Sequence, residues 1–248
     1  MKIAVCVSHV PDTAAKIKIN SDGKSIDPGG VTFVVNPYDE YAIEEALKLK
    51  EKFNAETFAI SVGKEANKET IRKALAMGVD NGILLVVDNE RDSIAVAKAL
   101  ADEIKALECE LIFFGKQSVD FDNSITGQLT AELLGYSCVT TVVKLNVENG
   151  KITAEREIEG GREVVETELP AVITTQKGLN EPRYASLKGI MAAKKKVIQE
   201  KPAFSVENQS EIIKMYNPPA KNPGKILGTD SSAVPELVRL LREEAKVI

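Results

Sequence analysis

The sequence predicts an α/β protein: a doubly wound, mostly parallel sheet with an antiparallel hairpin appendage and a C-terminal arm. Three observations lead there. Short β-rich apolar runs alternate with helical stripes over residues 1–135, and period-two alternation replaces that pattern after Gly135. The stretch after residue 201 then holds five of the ten prolines, at 202, 218, 219, 223 and 235.

Lys2–Ser8 is almost continuously apolar, as a central strand covered on both faces requires. Asn36-Pro37-Tyr38-Asp39 opens a helix whose Ala42, Ala46, Leu49 and Phe53 recur at helical spacing, with Ile43 and Leu47 widening the stripe. Thr57–Val62 reads as a strand, Glu69–Met77 as a helix ended by Gly78, Gly82–Val87 as a strand and Asp92–Leu107 as a helix. Leu111–Phe114 is the fourth strand, and a helix runs over Ser124–Leu134. Val139–Val147 and Ile152–Ile158 flank the hairpin turn Glu148-Asn149-Gly150, and Arg162–Glu168 follows Gly160-Gly161. The apolar run 170–175 returns to the main sheet. From about Lys196 the chain reads as an irregular tail until Leu237, Leu240, Leu241 and Ala245 mark a short amphipathic helix that needs another surface. This divides the chain into an α/β domain over 1–201, with the hairpin at about 138–169, and an arm over 202–248.

Composition sets outer limits. The 248 residues suffice for one large domain, and 44% hydrophobic with 28% charged residues exclude wholesale disorder. Cys6, Cys109 and Cys138 are far apart and there is one histidine, so thiolate zinc, iron–sulfur and disulfide-scaffold readings lack ligands. No signal-peptide pattern opens the chain and no run reaches the length of a membrane span, so a reduced, cytoplasmic protein without membrane insertion is expected. Net charge is −5, yet residues 182–201 carry six basic groups against Glu200. That patch has no base-stacking aromatic beyond Tyr184 and the rest of the chain repels phosphate, which favours an acidic protein partner over nucleic acid.

In doubly wound sheets ligands bind beyond the carboxyl ends of the strands. The loops expected there are 8–12, 36–38, 62–64 and the long polar 115–127, which feeds a helix whose free N–H groups could hold a phosphate. Neither G-x-x-x-x-G-K-[ST] nor G-x-G-x-x-G occurs, and from spacing alone Ser124 reads as a cap. His9 falls at the end of strand one, but no nucleophile with an orienting acid accompanies it at a recognisable spacing. Asp120 and Asp122 read as solvated or capping, Lys194–Lys196 as an exposed run, and Leu187 as a helix core position. No catalytic residue is assigned and no metal site is expected.

Several long motifs in order resemble the small, beta subunit of the electron-transfer flavoproteins. They are the opening 5–12 (VCVSHVPD), Asn36-Pro37-Tyr38-Asp39-Glu40, the stretch 74–80 (ALAMGVD), and Gly115-Lys116-Gln117 with Asp120 and Asp122. To these add 156–161 (REIEGG), Leu169-Pro170-Ala171-Val172 and 179–187 (LNEPRYASL). The likeness spans nearly the whole chain and is weakest after about Pro202. It implies a Rossmann-like adenine-nucleotide-binding fold and a heterodimer with a larger alpha subunit, which holds most of the FAD while the beta subunit supplies one wall of its cavity. Such dimers carry electrons from flavin dehydrogenases, acyl-CoA dehydrogenases of fatty acid oxidation among them, to a membrane quinone reductase. The beta subunit is then a binding and docking module, not an enzyme.

The resemblance also implies a nucleotide in the beta subunit, either AMP or, in electron-bifurcating relatives, a second FAD. Bifurcating members resemble Asp-Gly-Asp-Thr-Ala-Gln-Val-Gly where this chain has Asp120-Phe121-Asp122-Asn123-Ser124-Ile125-Thr126-Gly127. Thr126 matches the AMP type; Phe121, Ser124 and Ile125 depart from it, which shifts phosphate contacts toward backbone N–H groups. Implied AMP contacts are Ser8, Asn36, Gly63, Asn123, Ser124, Ile125 and Thr126, and Thr13 and Tyr38 occupy places near the flavin. Residues 180–196 are implied to form a docking loop presenting Tyr184, Leu187, Ile190 and Met191, with Leu187 as anchor and Arg183, Lys188 and Lys194–Lys196 as a basic rim. A different class, a stand-alone nucleotide-binding regulator similar to universal stress proteins, lacks the 180–200 segment and the long tail.

Overall fold

The structure, a computed structural model, describes residues 1–204, 207–220 and 223–248. Its strands are β1 (Lys2–Cys6), β2 (His9–Pro11), β3 (Phe33–Val35), β4 (Glu56–Gly63), β5 (Asn81–Val86), β6 (Leu111–Gly115), β7 (Ser137–Glu148), β8 (Lys151–Ile158), β9 (Gly161–Glu168), β10 (Ala171–Thr175) and β11 (Ile198–Pro202). The helices are α1 (Pro37–Phe53), α2 (Asn67–Met77), α3 (Ser93–Leu107), α4 (Thr126–Leu134), α5 (Leu187–Lys195) and α6 (Val234–Glu243). Among the described residues nine strands form one sheet, ordered β11-β5-β4-β1-β6-β10-β7-β8-β9, and β2 pairs with β3 in a separate antiparallel ribbon. All pairings from β11 to β7 are parallel; β7–β8 and β8–β9 are antiparallel. The fold is the expected α/β class.

The central strand shows why. Alternate residues of β1 enter opposite cores: Ile3 and Val5 pack with α1 and α2, while Ala4 and Cys6 pack with α3 and α4. A strand buried on both faces cannot afford polar alternation, hence its continuous apolar run. Helices cover both faces, and strand order reverses between β1 and β6, which run parallel: β4 and β5 lie to one side of β1 and β6 to the other. That reversal opens a crevice at the carboxyl edge.

Four sequence expectations need correction. The irregular tail does not begin at Lys196, because Ile198–Pro202 is an edge strand parallel to β5, with Pro202 at its last position, where a missing N–H costs least. The helix after β6 begins at Thr126, not Ser124, because Ser124 has φ 53°, outside the helical region. The segment 180–196 is not a loop throughout: Ser186 caps Gly189 N–H at 3.0 Å and starts helix α5. Leu187, the first residue of that helix, is 79% exposed and is not a core position.

Among the described residues no helix is long and apolar enough to cross a membrane, and no group of three His, Cys, Asp or Glu could hold a metal. The three cysteines are free, with Cys6 and Cys109 buried.

Candidate functional site

The crevice is organised by Asp39, in the first turn of α1. Its Oδ2 accepts the Ser8 N–H at 2.7 Å, and its Oδ1 accepts the Gly115 N–H at 3.0 Å and Asn36 Nδ2 at 2.8 Å. Asn36 Nδ2 also donates to Gln117 O at 2.8 Å, and Asn36 Oδ1 accepts from Val119 N–H at 3.3 Å. The Asn36 N–H donates to Ser8 O at 3.0 Å. Two buried side chains therefore tie together the chain after β1, the start of α1 and the loop after β6. Asp39 is 3% exposed, and burial pushes its carboxyl up to about 7 against the N–H donors that favour its charge. Gly115 permits the close approach: a Cβ there would stand 2.4 Å from Asp39 Oδ1 and 2.6 Å from Tyr38 Cβ.

Around that core the residues expected to hold AMP take up distinct positions. Ser8 is half-buried at the end of β1, and Asn36 is fully buried with its amide engaged by protein groups. Gly63 ends β4 against the Asn67 side chain, which bonds Lys64 N–H at 3.1 Å, Ser61 Oγ at 3.0 Å and Val62 O at 3.3 Å. A Cβ on Gly63 would lie 2.3 Å from that amide. Asn123, Ser124 and Ile125 are exposed, and Asn123 Nδ2 reaches Ser93 Oγ at the start of α3, 3.0 Å away. Gln117 Nε2 donates to Asp122 Oδ1 at 2.6 Å and Ser124 Oγ to Gln117 Oε1 at 3.3 Å, so the loop is braced across its base. Ile125 occupies the N-cap position of α4 with no side-chain cap bond, which leaves the first-turn N–H groups of Thr126–Gln128 available to an anion. An anionic group such as a phosphate fits this donor set.

Tyr38 and Thr13 lie on the same edge. Tyr38 is half-buried, its carbonyl accepting Thr175 Oγ1 at 3.1 Å and its ring 5.0 Å from Lys116 Nζ. Thr13 is exposed in the turn closed by Ala15 N–H to Asp12 O, 2.9 Å. His9 stacks on Phe33 with ring centroids 4.9 Å apart, and its Nδ1 is 2.8 Å from Thr70 Oγ1. Burial lowers its pKa, the reverse of what an imidazolium needs.

The exposed side chains sit elsewhere, on the helical face formed by α1, α2 and α5. Tyr184 is 98% exposed, and Leu187, Met191 and Ile190 are all exposed on or beside α5. Arg183 does not belong to the basic rim: its guanidinium is paired with Glu44 and Glu51. Lys196 also leaves that rim, since its Nζ donates to Val79 O at 2.8 Å and Asp80 O at 2.9 Å, and desolvation lowers its pKa. Lys188, Lys194 and Lys195 remain as charges on this surface.

Reading the sequence left four organising residues unassigned: Asp39, Gly115, Gln117 and Asn67. An acid in the first turn after Asn-Pro signals a helix start, and only the fold shows that it also bonds two strand ends.

A family model described as "Electron transfer flavoprotein domain" matches residues 25–205. Over 259 residues the chain is 40% identical to the electron transfer flavoprotein subunit beta of Bacillus subtilis (strain 168), with 100% of each chain covered. It is 38% identical over 257 residues to the mitochondrial subunit beta of Oryza sativa subsp. japonica, again with 100% of both covered. To the subunit beta of Mus musculus it is 38% identical over 246 residues, covering 96% of each chain. With motif order, fold and full-length similarity in agreement, the chain belongs to the electron transfer flavoprotein family, among its beta subunits.

Proposed function

We propose that this chain pairs with an alpha subunit around a shared FAD, holds one AMP in its own carboxyl-edge crevice, and docks flavin dehydrogenases through the α5 surface. The observation that carries the nucleotide part is the uncapped first turn of α4, opening beside Asn123 and Ser124 at the point where strand order reverses. When bound, the flavin supplies the electron-transfer chemistry. This chain's residues would orient and shield: α4 N–H groups toward phosphate, Gly63 and Ser8 toward the nucleoside, Tyr38 and Thr13 toward the flavin side. Electrons would come from acyl-CoA and other flavin dehydrogenases and leave to a membrane quinone reductase, with the dimer working in the cytoplasm.

The arm fits this reading. Val234, Leu237 and Val238 of α6 are exposed, an apolar stripe suited to the alpha subunit. Native mass spectrometry of the copurified heterodimer tests the proposal, with one FAD and one AMP expected. Two FAD per heterodimer with NADH-dependent reduction would overturn the AMP assignment in favour of a bifurcating subunit.

A further inference from the structure

Three anchors hold the exposed segment 184–191 against the body, and the first is an ion pair to a buried carboxylate. Glu44, on the outer face of α1 and 6% exposed, accepts three bonds from a single residue. Its Oε2 takes the Arg183 backbone N–H at 3.0 Å and Nε at 2.8 Å, and its Oε1 takes a terminal guanidinium nitrogen at 2.9 Å. Glu51, two turns further along α1, takes another guanidinium nitrogen at 2.5 Å. Beside them Asn180 Nδ2 donates to Glu45 Oε2 at 2.9 Å and to Tyr41 O at 3.0 Å.

The second anchor is Gly189, seated so closely on α2 that a Cβ would lie 2.3 Å from Ala76 O. The third is Arg72, whose guanidinium closes the end of α5 through Ala193 O at 2.6 Å and Lys196 O at 3.0 Å. A nine-residue helix has little stability by itself, so these anchors hold α5 in place. Tyr184 follows Arg183 directly and Leu187 comes four residues after it, so the Glu44 grip on both the backbone and the side chain of Arg183 sets where they emerge.

We propose that Arg183 is a positioning residue for partner docking: clamped by Glu44 and Glu51, it preorganises Tyr184 and Leu187 for a flavin dehydrogenase. This rests on the reading of α5 as the docking surface. Its physical basis is that a surface already fixed in its bound shape loses less entropy on association. A rim charge would act differently, through encounter rate and salt dependence, and lysine would replace it. The clamp needs the planar fork of arginine, which lysine cannot reproduce.

The test uses the intact heterodimer in a dehydrogenase-coupled assay, comparing wild type with Arg183→Lys, Glu44→Asp and Leu187→Ala. Arg183→Lys and Glu44→Asp are expected to raise the KM for the flavoprotein about tenfold, equivalent to ~1.4 kcal/mol, with kcat nearly unchanged. FAD content and the rate of dithionite reduction should stay at wild-type values, while hydrogen exchange speeds up over 184–192. If Leu187→Ala raises KM but Arg183→Lys and Glu44→Asp do not, the positioning role is wrong and the docking surface stands. If Leu187→Ala leaves KM unchanged, the docking reading falls and the positioning role with it. Should Arg183→Lys shed FAD or fail to assemble, the milder Glu44→Asp decides: an unchanged KM per folded heterodimer overturns the proposal.

Discussion

The Asp39 carboxylate accepts the Gly115 N–H at 3.0 Å across a gap that leaves no room for a Cβ on Gly115. The same carboxylate takes the Ser8 N–H at 2.7 Å, so a single side chain joins the chain just after β1 to the end of β6, the two strands between which strand order reverses. The crevice is thus shaped by a buried acid before any ligand enters.

Gly115→Ala should destabilise the protein by ~1–3 kcal/mol, as overpacking of a tight site does. The added methyl meets Tyr38 Cβ at 2.6 Å and the Tyr38 carbonyl carbon at 2.8 Å, atoms that cannot swing away. Thermal unfolding measures the loss, and retention of nucleotide should fall in the same variant because its loop support moves.

Asp39 makes stability depend on pH in an unusual direction for a carboxyl. Its folded value is raised by burial to about 7, whereas an unfolded aspartate titrates near ~3.9. Between these values the folded chain holds a proton that the unfolded chain has released. Its contribution to stability therefore falls as pH rises through the window and levels off above about 7. Asp39→Asn should flatten that slope in urea unfolding measured from pH 4.5 to 8. It should also lower stability at every pH, because an amide nitrogen would then face a backbone N–H.

Asp92→Ala should free the near end of the tail. Asp92 caps Ala95 N–H at 2.8 Å, and its Oδ2 also accepts the Gln209 and Ser210 N–H groups at 2.5 and 2.8 Å. Losing the cap alone costs ~1 kcal/mol. Burial opposes the charge, but these donors outweigh it and hold the carboxyl below its usual value. The contribution is present above the unfolded pKa and is lost as pH falls through the folded one. Hydrogen exchange at 207–211 should quicken in the variant, and circular dichroism should show a weaker start to α3.

Thr126→Val should weaken AMP retention and lower the melting temperature of the heterodimer while leaving the flavin spectrum nearly intact, since loss of a native-state ligand lowers stability by mass action. Nucleotide released on denaturation, quantified by mass spectrometry, gives the answer. Unchanged AMP content would remove Thr126 from the site.

Truncation tests the arm, and β11 decides where to cut. A chain ending at Phe204 keeps the edge strand and the Ala203 N–H bond to Val86 O at 3.0 Å, whereas ending at Lys201 would damage the sheet itself. The shorter chain should fold yet assemble poorly with its alpha subunit and retain less FAD. Unaltered assembly affinity would show that the arm is dispensable.

The sequence by itself determined the parts that depend on local pattern. The doubly buried run of β1, the stripe of α1, the turn at Asn149-Gly150 and the chain's return through Ala171–Thr175 each follow from periodicity and turn chemistry within a few residues. Motif order likewise sufficed for the family, because seven separate segments had to agree. Tertiary structure decided whatever depends on which distant groups meet. Ile198–Pro202 became a strand only because β5 offered it an edge, and Arg183 became a clamp only because Glu44 lay buried beneath it. Asp39 reads locally as a helix-start acid; its second role needs the 76-residue separation to Gly115 closed by the fold. Periodicity reports the side of an element that faces the core, but a hydrogen bond between distant loops or an ion pair to a buried carboxylate is fixed by the packing of whole layers, which no local window contains.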